Sequence, residues 1–146
     1  MEGLRLGLRQ LGYIEGKNIL IEYRYAEGKA ERLPSLAAEL VSLNLDILVA
    51  RGAPAAHAAK NATSMILIIF GNAADPVGTG LVTNLARPGG NVTGLSDFNS
   101  GVITKRLELI KEVVPKVLHV AVFLNPANPT NRPQSKEIEV VAPGLV

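Results

Sequence analysis

The 146-residue sequence is 47% hydrophobic, which is enough for one domain with a sizeable core. Its 15 basic and 13 acidic residues are nearly balanced and evenly spread, so we expect no nucleic-acid surface, and the absence of cysteine excludes disulfides and thiol catalysis. No apolar run reaches the roughly 18 residues of a transmembrane helix, and the first residues lack the apolar core of a signal peptide. As written, the chain is expected to stay in the cytoplasm.

The first third of the chain changes from a helical to an extended pattern and back. Leucines at helical spacing predict a helix over residues 2–12. The segment Ile19–Tyr25 alternates apolar and polar side chains, which predicts a strand with one wetter face near a sheet edge. An apolar stripe over residues 33–41 predicts a second helix.

The middle of the chain carries two short, continuous apolar runs. These runs, Leu45–Ala50 and Met65–Phe70, are typical of strands that are covered on both faces. A short alanine-rich helix fits Pro54–Lys60 between them, and a further helix fits Val77–Ala86 after them. Residues 91–96 then predict a short strand.

The last third predicts a long helix over residues 103–114, a strand at Val117–Leu124 and a final helix that begins near residue 134. Strands that alternate with helices predict an α/β, three-layer, doubly wound and mostly parallel sheet of flavodoxin-like type, with helices on both faces. The pattern begins on a helix, although the first strand of such a fold is normally central. We therefore expect the sheet to lack its first strand.

Ligands of open parallel sheets bind beyond the carboxyl ends of the strands. In this sequence those ends lead into four loops rich in small or polar residues, at residues 51–60, 71–80, 95–101 and 125–133. Two of the loops lead into predicted helices, whose free N–H groups can hold an anion or a carboxylate.

The loop that begins at Gly71 has a structural and a functional interpretation. Asp75 followed by Pro76 is a common helix start, with an N-cap oxygen and then proline in the first turn. Asp75 can equally contact a ligand, and the two roles can coexist. A dinucleotide fingerprint is weak here, because Thr83 stands where its third glycine would fall.

Residue patterns that would indicate a catalytic site are also weak. His57 and His119 stand at unrelated places, so no metal-ligand set is predicted, and no Gly-x-Ser-x-Gly elbow occurs. Asp46 and Asp97 flank predicted strands, but the sequence does not pair either with Asp75 as acid and base. We therefore expect no enzyme activity, no metal and no cofactor.

Several segments carry a resemblance to a known family. They are residues 7–63, DPVGTGLV (75–82), LARPGGNVTG (85–94), KRLELIKEVVPKV (105–117) and VAVFLNPANP (120–129). In this order they closely resemble the substrate-binding proteins of bacterial ABC transporters, in particular the tryptophan/aromatic-amino-acid-like periplasmic component, which is similar to type I periplasmic binding proteins. The resemblance runs through residues 4–130, and residues 75–94 are its most specific part.

The resemblance implies two α/β lobes that close on a small amino-acid-like or other polar organic ligand without chemistry, outside the cytoplasm, with a membrane permease as partner. Residues 1–115 would form the first lobe, incomplete at its N-terminus, and residues 116–146 the crossing strand and the truncated start of the second lobe. Asp75 would both cap its helix and face the ligand. The implied ligand-binding residues are Gly52, Ala53, Pro54, Ala55, Asn72, Asp75 and Pro76 in one wall of the cleft, and Asn125 and Asn128 in the opposite wall.

Two positions depart from the family pattern. Leu67 stands where the family often has proline, and Ala53 stands where it usually has Thr or Ser, whose hydroxyl can bond a ligand carboxylate or amine. The backbone N–H groups of Ala55 and Ala56 remain as donors. Because a hydrogen bond to a charged group contributes roughly 1.5–3 kcal/mol, Ala53 bears on both the affinity and the class of the ligand.

From the residues alone, other functions stay open: a flavodoxin-like single-domain enzyme or nucleotide-binding regulator, or a truncated product without function. The predicted fold places the missing strand between Ile19–Tyr25 and Leu45–Ala50, which leaves unpaired groups on both edges. Each such buried group costs about 1–3 kcal/mol. The isolated chain is therefore predicted to form a strand-exchanged homodimer or to aggregate.

Overall fold

The computed structural model describes residues 2–97, 102–125 and 131–145. Within those ranges the chain forms five α-helices and three β-strands, with short 3₁₀ turns at Ala30–Arg32 and Ala142–Leu145. In chain order the elements are α1 (Glu2–Gln10), α2 (Leu33–Ser42), β1 (Ile47–Arg51), α3 (Ala53–Ala62), β2 (Leu67–Ala73), β3 (Val92–Ser96), α4 (Val102–Val113) and α5 (Asn131–Val141). None of the helices in these ranges has both the length and the apolar character needed to cross a membrane.

The three strands form one parallel sheet in the order β1-β2-β3. β2 lies at the centre, with Ile47 opposite Leu67 on one side and Ile68 opposite Val92 on the other. α3 connects β1 to β2, as a parallel pair requires a crossover connection. The prediction of an α/β fold with a parallel sheet is therefore confirmed.

One face of the sheet forms the hydrophobic core. α3 packs on β1 and β2 through small side chains, and α2 packs on α3. Gly94 lies beside Phe70, where a Cβ atom would overlap the Phe70 carbonyl and ring, so the strands and core side chains approach closely there. The buried residues of this core are Leu48, Ala50, Ala53, Ala56, Ala59, Ile68, Phe70, Ala73, Leu81, Val82 and Val92.

The opposite face of the sheet is open to solvent. Its side chains alternate with the core residues, and Val49 is 51% and Leu95 75% exposed. Ile47 and Leu67 on the same face are also exposed. The apolar run at Leu45–Ala50 predicted a strand covered on both faces, but the described residues cover only one.

The segment Ile19–Tyr25, which the alternating pattern predicted as a strand, joins no sheet in the structure. A single bridge between Glu15 and Ile19 is the regular pairing recorded for this part of the described chain. Tyr23 and Tyr25 stack with their ring centroids 6.2 Å apart, and the Arg5 guanidinium lies 5.3 Å from the Tyr23 centroid. The strand prediction was wrong because alternation shows only that the side chains suit a half-buried sheet surface. A strand also needs a hydrogen-bonded neighbour.

Two further predicted elements are absent from the described structure. Residues 76–80 form a turn and residues 81–86 are irregular, so no helix covers Val77–Ala86; Gly80 has a φ of +72°, and glycines disfavour a continued helix. Val117–Leu124 is irregular and unpaired, and Phe123 is 97% exposed. Its apolar run predicted a strand, but no sheet edge among the described residues receives it.

We expect the isolated 146-residue protein to associate through the open sheet face, because exposed apolar area gains roughly 25 cal/mol per Å² on burial. Val49→Lys should shift the protein towards a monomer that remains folded, since Val49 points away from the core. Size-exclusion chromatography with light scattering over a range of concentrations measures the fractions of monomer and associated protein.

The matched control is Leu48→Lys on the adjacent buried position, which should unfold the protein because it places an unpaired charge in the core. A wild-type protein that stays monomeric at every concentration contradicts the expected association.

Candidate functional site

The carboxyl ends of β1 and β2 bring two of the predicted site loops together. The Gly52 N–H donates to the Gly71 carbonyl at 2.9 Å and so joins the loop after β1 to the end of β2. Gly52 has a φ of +81°, a conformation that glycine adopts without steric cost. These two loops are therefore joined at one edge of the sheet.

The first loop leads directly into α3. Pro54 occupies the first turn, where its missing N–H removes no internal bond. The Ala56 N–H donates to the Gly52 carbonyl at 3.1 Å, so it is engaged within the helix. Ala56 was expected to offer a free donor, and that expectation was wrong. The N–H of Ala55 precedes this first helical bond, and the Ala53 side chain is buried without a hydroxyl.

Asn72 forms a bulge at the end of β2. Gly71 pairs with Leu95 and Ala73 with Ser96, so Asn72 is an extra residue between two paired positions. Its φ is +64°, a left-handed conformation in which asparagine is enriched among non-glycine residues. Bulges redirect side chains and are over-represented beside active sites. The exposed Asn72 side chain therefore stands at the edge where the sequence placed a ligand contact.

Asp75 caps the turn that follows. Its Oδ1 accepts a hydrogen bond from the Gly78 N–H at 2.8 Å, and its carbonyl accepts from the Thr79 hydroxyl at 2.6 Å and the Thr79 N–H at 3.0 Å. Pro76 is fully buried beneath the turn. The predicted cap is present, but it closes one turn and not the expected helix.

The structure does not assemble the opposite wall. Asn125 follows a segment that joins no described strand, and its carbonyl accepts a hydrogen bond from the Asn131 side chain at 2.8 Å. Asn128 lies outside the described residues. Within the described ranges, the predicted site residues that the structure brings to one edge are therefore Gly52, Ala53, Pro54, Ala55, Asn72, Asp75 and Pro76.

Lys60, in the last turn of α3, contacts the loop that follows Asp75, although no sequence pattern singled it out. Its ammonium donates to the Gly80 carbonyl at 2.7 Å and to the Leu81 carbonyl at 3.1 Å. His57, one turn earlier on α3, is half-buried. Burial lowers the pKa of His57, and the nearby Lys60 charge lowers it further.

No metal site is present in the part of the chain that the structure describes. No group of three His, Cys, Asp or Glu side chains could hold a metal ion there. A shallow cavity of about 20 Å³, room for about one water molecule, is lined by residues from α1 and the segment 13–21, and by none of the predicted site residues.

A protein-family comparison covers almost the whole chain. Residues 1–144 match the model of the family described as ABC transporter substrate binding protein. The chain belongs to this family. The resemblance that residues 75–94 carried most specifically is thus confirmed.

Individual relatives and solved structures extend the comparison. A tyrosine-binding protein from Clostridioides difficile is 41% identical over 124 residues, which are 85% of this chain and 35% of that protein. A conserved domain protein from Vibrio cholerae superposes with a TM-score of 0.88 and 38% identity, over 98% of this chain and 48% of that one. An ABC domain in complex with L-Trp from Streptococcus pneumonia has a TM-score of 0.83 and 30% identity, over 98% and 47%. The family member described here thus spans about half the length of these solved relatives.

We expect Asp75→Ala to lower the free energy of unfolding by roughly 0.5–2 kcal/mol, because Gly78 loses its capping acceptor. Gly78→Ala should have a similar effect, since a Cβ atom there would overlap the Asp75 carboxylate and displace it. Denaturant unfolding of both single variants and the double variant measures the coupling.

The free energy of unfolding should fall less in the double variant than the sum of the two single decreases, because both substitutions break the same bond. Asp46→Ala, at an exposed aspartate before β1, is the control and should change stability by less than about 0.5 kcal/mol. Simple additivity of Asp75→Ala and Gly78→Ala would contradict the capping role.

Proposed function

We propose that this chain forms one wall of the ligand cleft of a solute-binding protein that serves an ABC uptake transporter, and that the ligand is an aromatic amino acid. The observation that carries the proposal is the fit of 98% of the chain, with a TM-score of 0.83, to a structure that contains L-Trp. The name of the Clostridioides difficile relative, a tyrosine-binding protein, supports the same ligand class.

The geometry of the edge suits an amino-acid ligand. The first turn of α3 presents the Ala55 N–H and the positive end of the helix dipole, which favour a carboxylate. Asn72 supplies an amide that can both donate and accept. Small side chains in Gly52–Ala55 leave room for the ligand backbone to approach.

The ligand would be bound and released without turnover. In the proposed arrangement, residues 1–115 belong to a first lobe and residues 116–146 lead into a second, and the lobes close on the ligand as in hinge-bending binding proteins. Asn125 and Asn128 would approach the ligand from the opposite wall of the cleft. Asp75 would act through the position of its turn, because its Oδ1 is already engaged by the Gly78 N–H.

The partners follow from the family. A closed, ligand-loaded form would dock on a membrane permease outside the cytoplasm, and neither a cofactor nor a nucleic acid takes part. Ala53 lacks the hydroxyl that relatives often place in this loop, so the ligand carboxylate would rely on backbone donors and on Asn72. The loss of one hydrogen bond to a charged group weakens binding by roughly 1.5–3 kcal/mol.

Isothermal titration calorimetry tests the ligand class. We expect L-tryptophan or L-tyrosine to bind without being consumed, and we expect ATP, NAD and FMN not to bind. Preferential binding of a nucleotide or of FMN would overturn the solute-binding proposal and favour a nucleotide-binding regulator. Unbound ligand recovered and analysed after the titration shows whether any turnover occurred.

Substitutions at Asn72 test ligand binding separately from stability. Asn72→Gly keeps the left-handed backbone without strain but removes the amide, so it should weaken L-tryptophan binding and leave the melting temperature nearly unchanged. Asn72→Ala removes the same amide and adds backbone strain of about 1–2 kcal/mol. If Asn72→Gly binds L-tryptophan as tightly as the wild type, Asn72 does not contact the ligand.

A further inference from the structure

Lys60 makes a long-range side-chain link between α3 and the turn that follows β2. Its Nζ donates to two consecutive carbonyls, those of Gly80 at 2.7 Å and Leu81 at 3.1 Å, which lie 20 and 21 residues further along the chain. A single ammonium thus spans the gap between a helix and a returning loop. Bonds of this charge-assisted kind are stronger than those between neutral groups.

The two carbonyls lie where the turn leaves its regular hydrogen bonding. The Thr79 N–H still bonds the Asp75 carbonyl, and the Gly80 N–H bonds the Val77 carbonyl, but Gly80 then adopts a φ of +72°. Leu81 follows and is fully buried. Lys60 therefore holds the chain at the point where it bends from the turn into the core.

The position of Lys60 on α3 determines which parts of the chain this contact joins. Lys60 lies seven residues after Ala53, about 10 Å along the helix at 1.5 Å per residue, in the last turn. The other end of α3 carries Gly52, whose N–H is bonded to Gly71. The same helix is thus joined to the segment 71–81 at both of its ends.

We propose that Lys60 is a positioning residue for the ligand site: by binding the Gly80 and Leu81 carbonyls it holds the Asp75–Leu81 turn on α3, so that the two loops of the wall form one rigid body before a ligand arrives. Because the wall is already in place, no ordering cost is paid on binding, and this raises affinity. The effect on ligand affinity rests on the proposed function, whereas the contact by which Lys60 holds the turn does not.

The test compares Lys60→Met, which keeps most of the apolar stem and removes the donors, with Lys60→Arg, which retains donors. Lys17→Met, at an exposed lysine in the segment between α1 and Ile19, is the control. Hydrogen–deuterium exchange is read at the amides of Thr79, Gly80 and Val82, which all donate within this turn. The Ile68 amide, bonded to the Asn91 carbonyl in the sheet, reports general stability.

We expect Lys60→Met to speed exchange of the turn amides by roughly tenfold, the effect of about 1.4 kcal/mol, with no change at Ile68. Lys60→Arg should restore slow exchange in part, and Lys17→Met should leave it unchanged. In calorimetry, Lys60→Met should bind L-tryptophan roughly tenfold more weakly. The turn amides and the affinity should change together across the three variants.

Unchanged exchange of the turn in Lys60→Met overturns the proposal, and so does a uniform increase that includes Ile68, which shows a general loss of stability. Faster local exchange with wild-type affinity for L-tryptophan shows that the turn is held but that its position does not matter to the ligand, which also overturns it. If the wild-type protein binds no aromatic amino acid, the proposed function fails, and the exchange result alone still decides whether Lys60 holds the turn.

Discussion

The close packing of α3 on β1 and β2 is the contact on which the rest of the structure depends. Ala53, Ala56 and Ala59 are all buried in it, and their small side chains let the helix axis lie near the sheet. That approach brings the first turn of α3 beside the end of β2, where Gly52 reaches Gly71. A larger side chain in this row would push the helix outward and separate the two loops of the site.

The loop between β2 and β3 is held by individual polar bonds rather than by a helix. Asp75 closes its first turn, Lys60 binds its middle, and the Thr83 hydroxyl bonds the Pro88 carbonyl. At the far end, the Asn91 side chain donates to the Ile66 and Thr63 carbonyls at 2.7 and 3.1 Å. Because each bond fixes one point of an irregular path, the shape of this loop depends on a few named side chains.

The uncovered sheet face and the two unpaired segments share one physical cause. Ile19–Tyr25 and Val117–Leu124 have the composition of strands, yet a strand is stable only when a neighbour completes its hydrogen bonds. The outer edge of β1 and the exposed side chains Val49 and Leu95 are surfaces of the kind that such neighbours cover. Helices differ in this respect because their backbone bonds are internal, and α1, α4 and α5 formed where periodicity predicted them.

The sequence by itself determined the α/β class, the positions of the helices α1 to α5, the strands β1 to β3 and the family, because helical periodicity, short apolar runs and residues 75–94 are local properties of the chain. Only the tertiary structure decided which segments pair, that Asn72 forms a bulge, and that Lys60 holds Gly80 and Leu81. Each of those outcomes needs a partner contributed by another part of the chain. A pattern along one segment shows which groups need partners, but the packed fold supplies them.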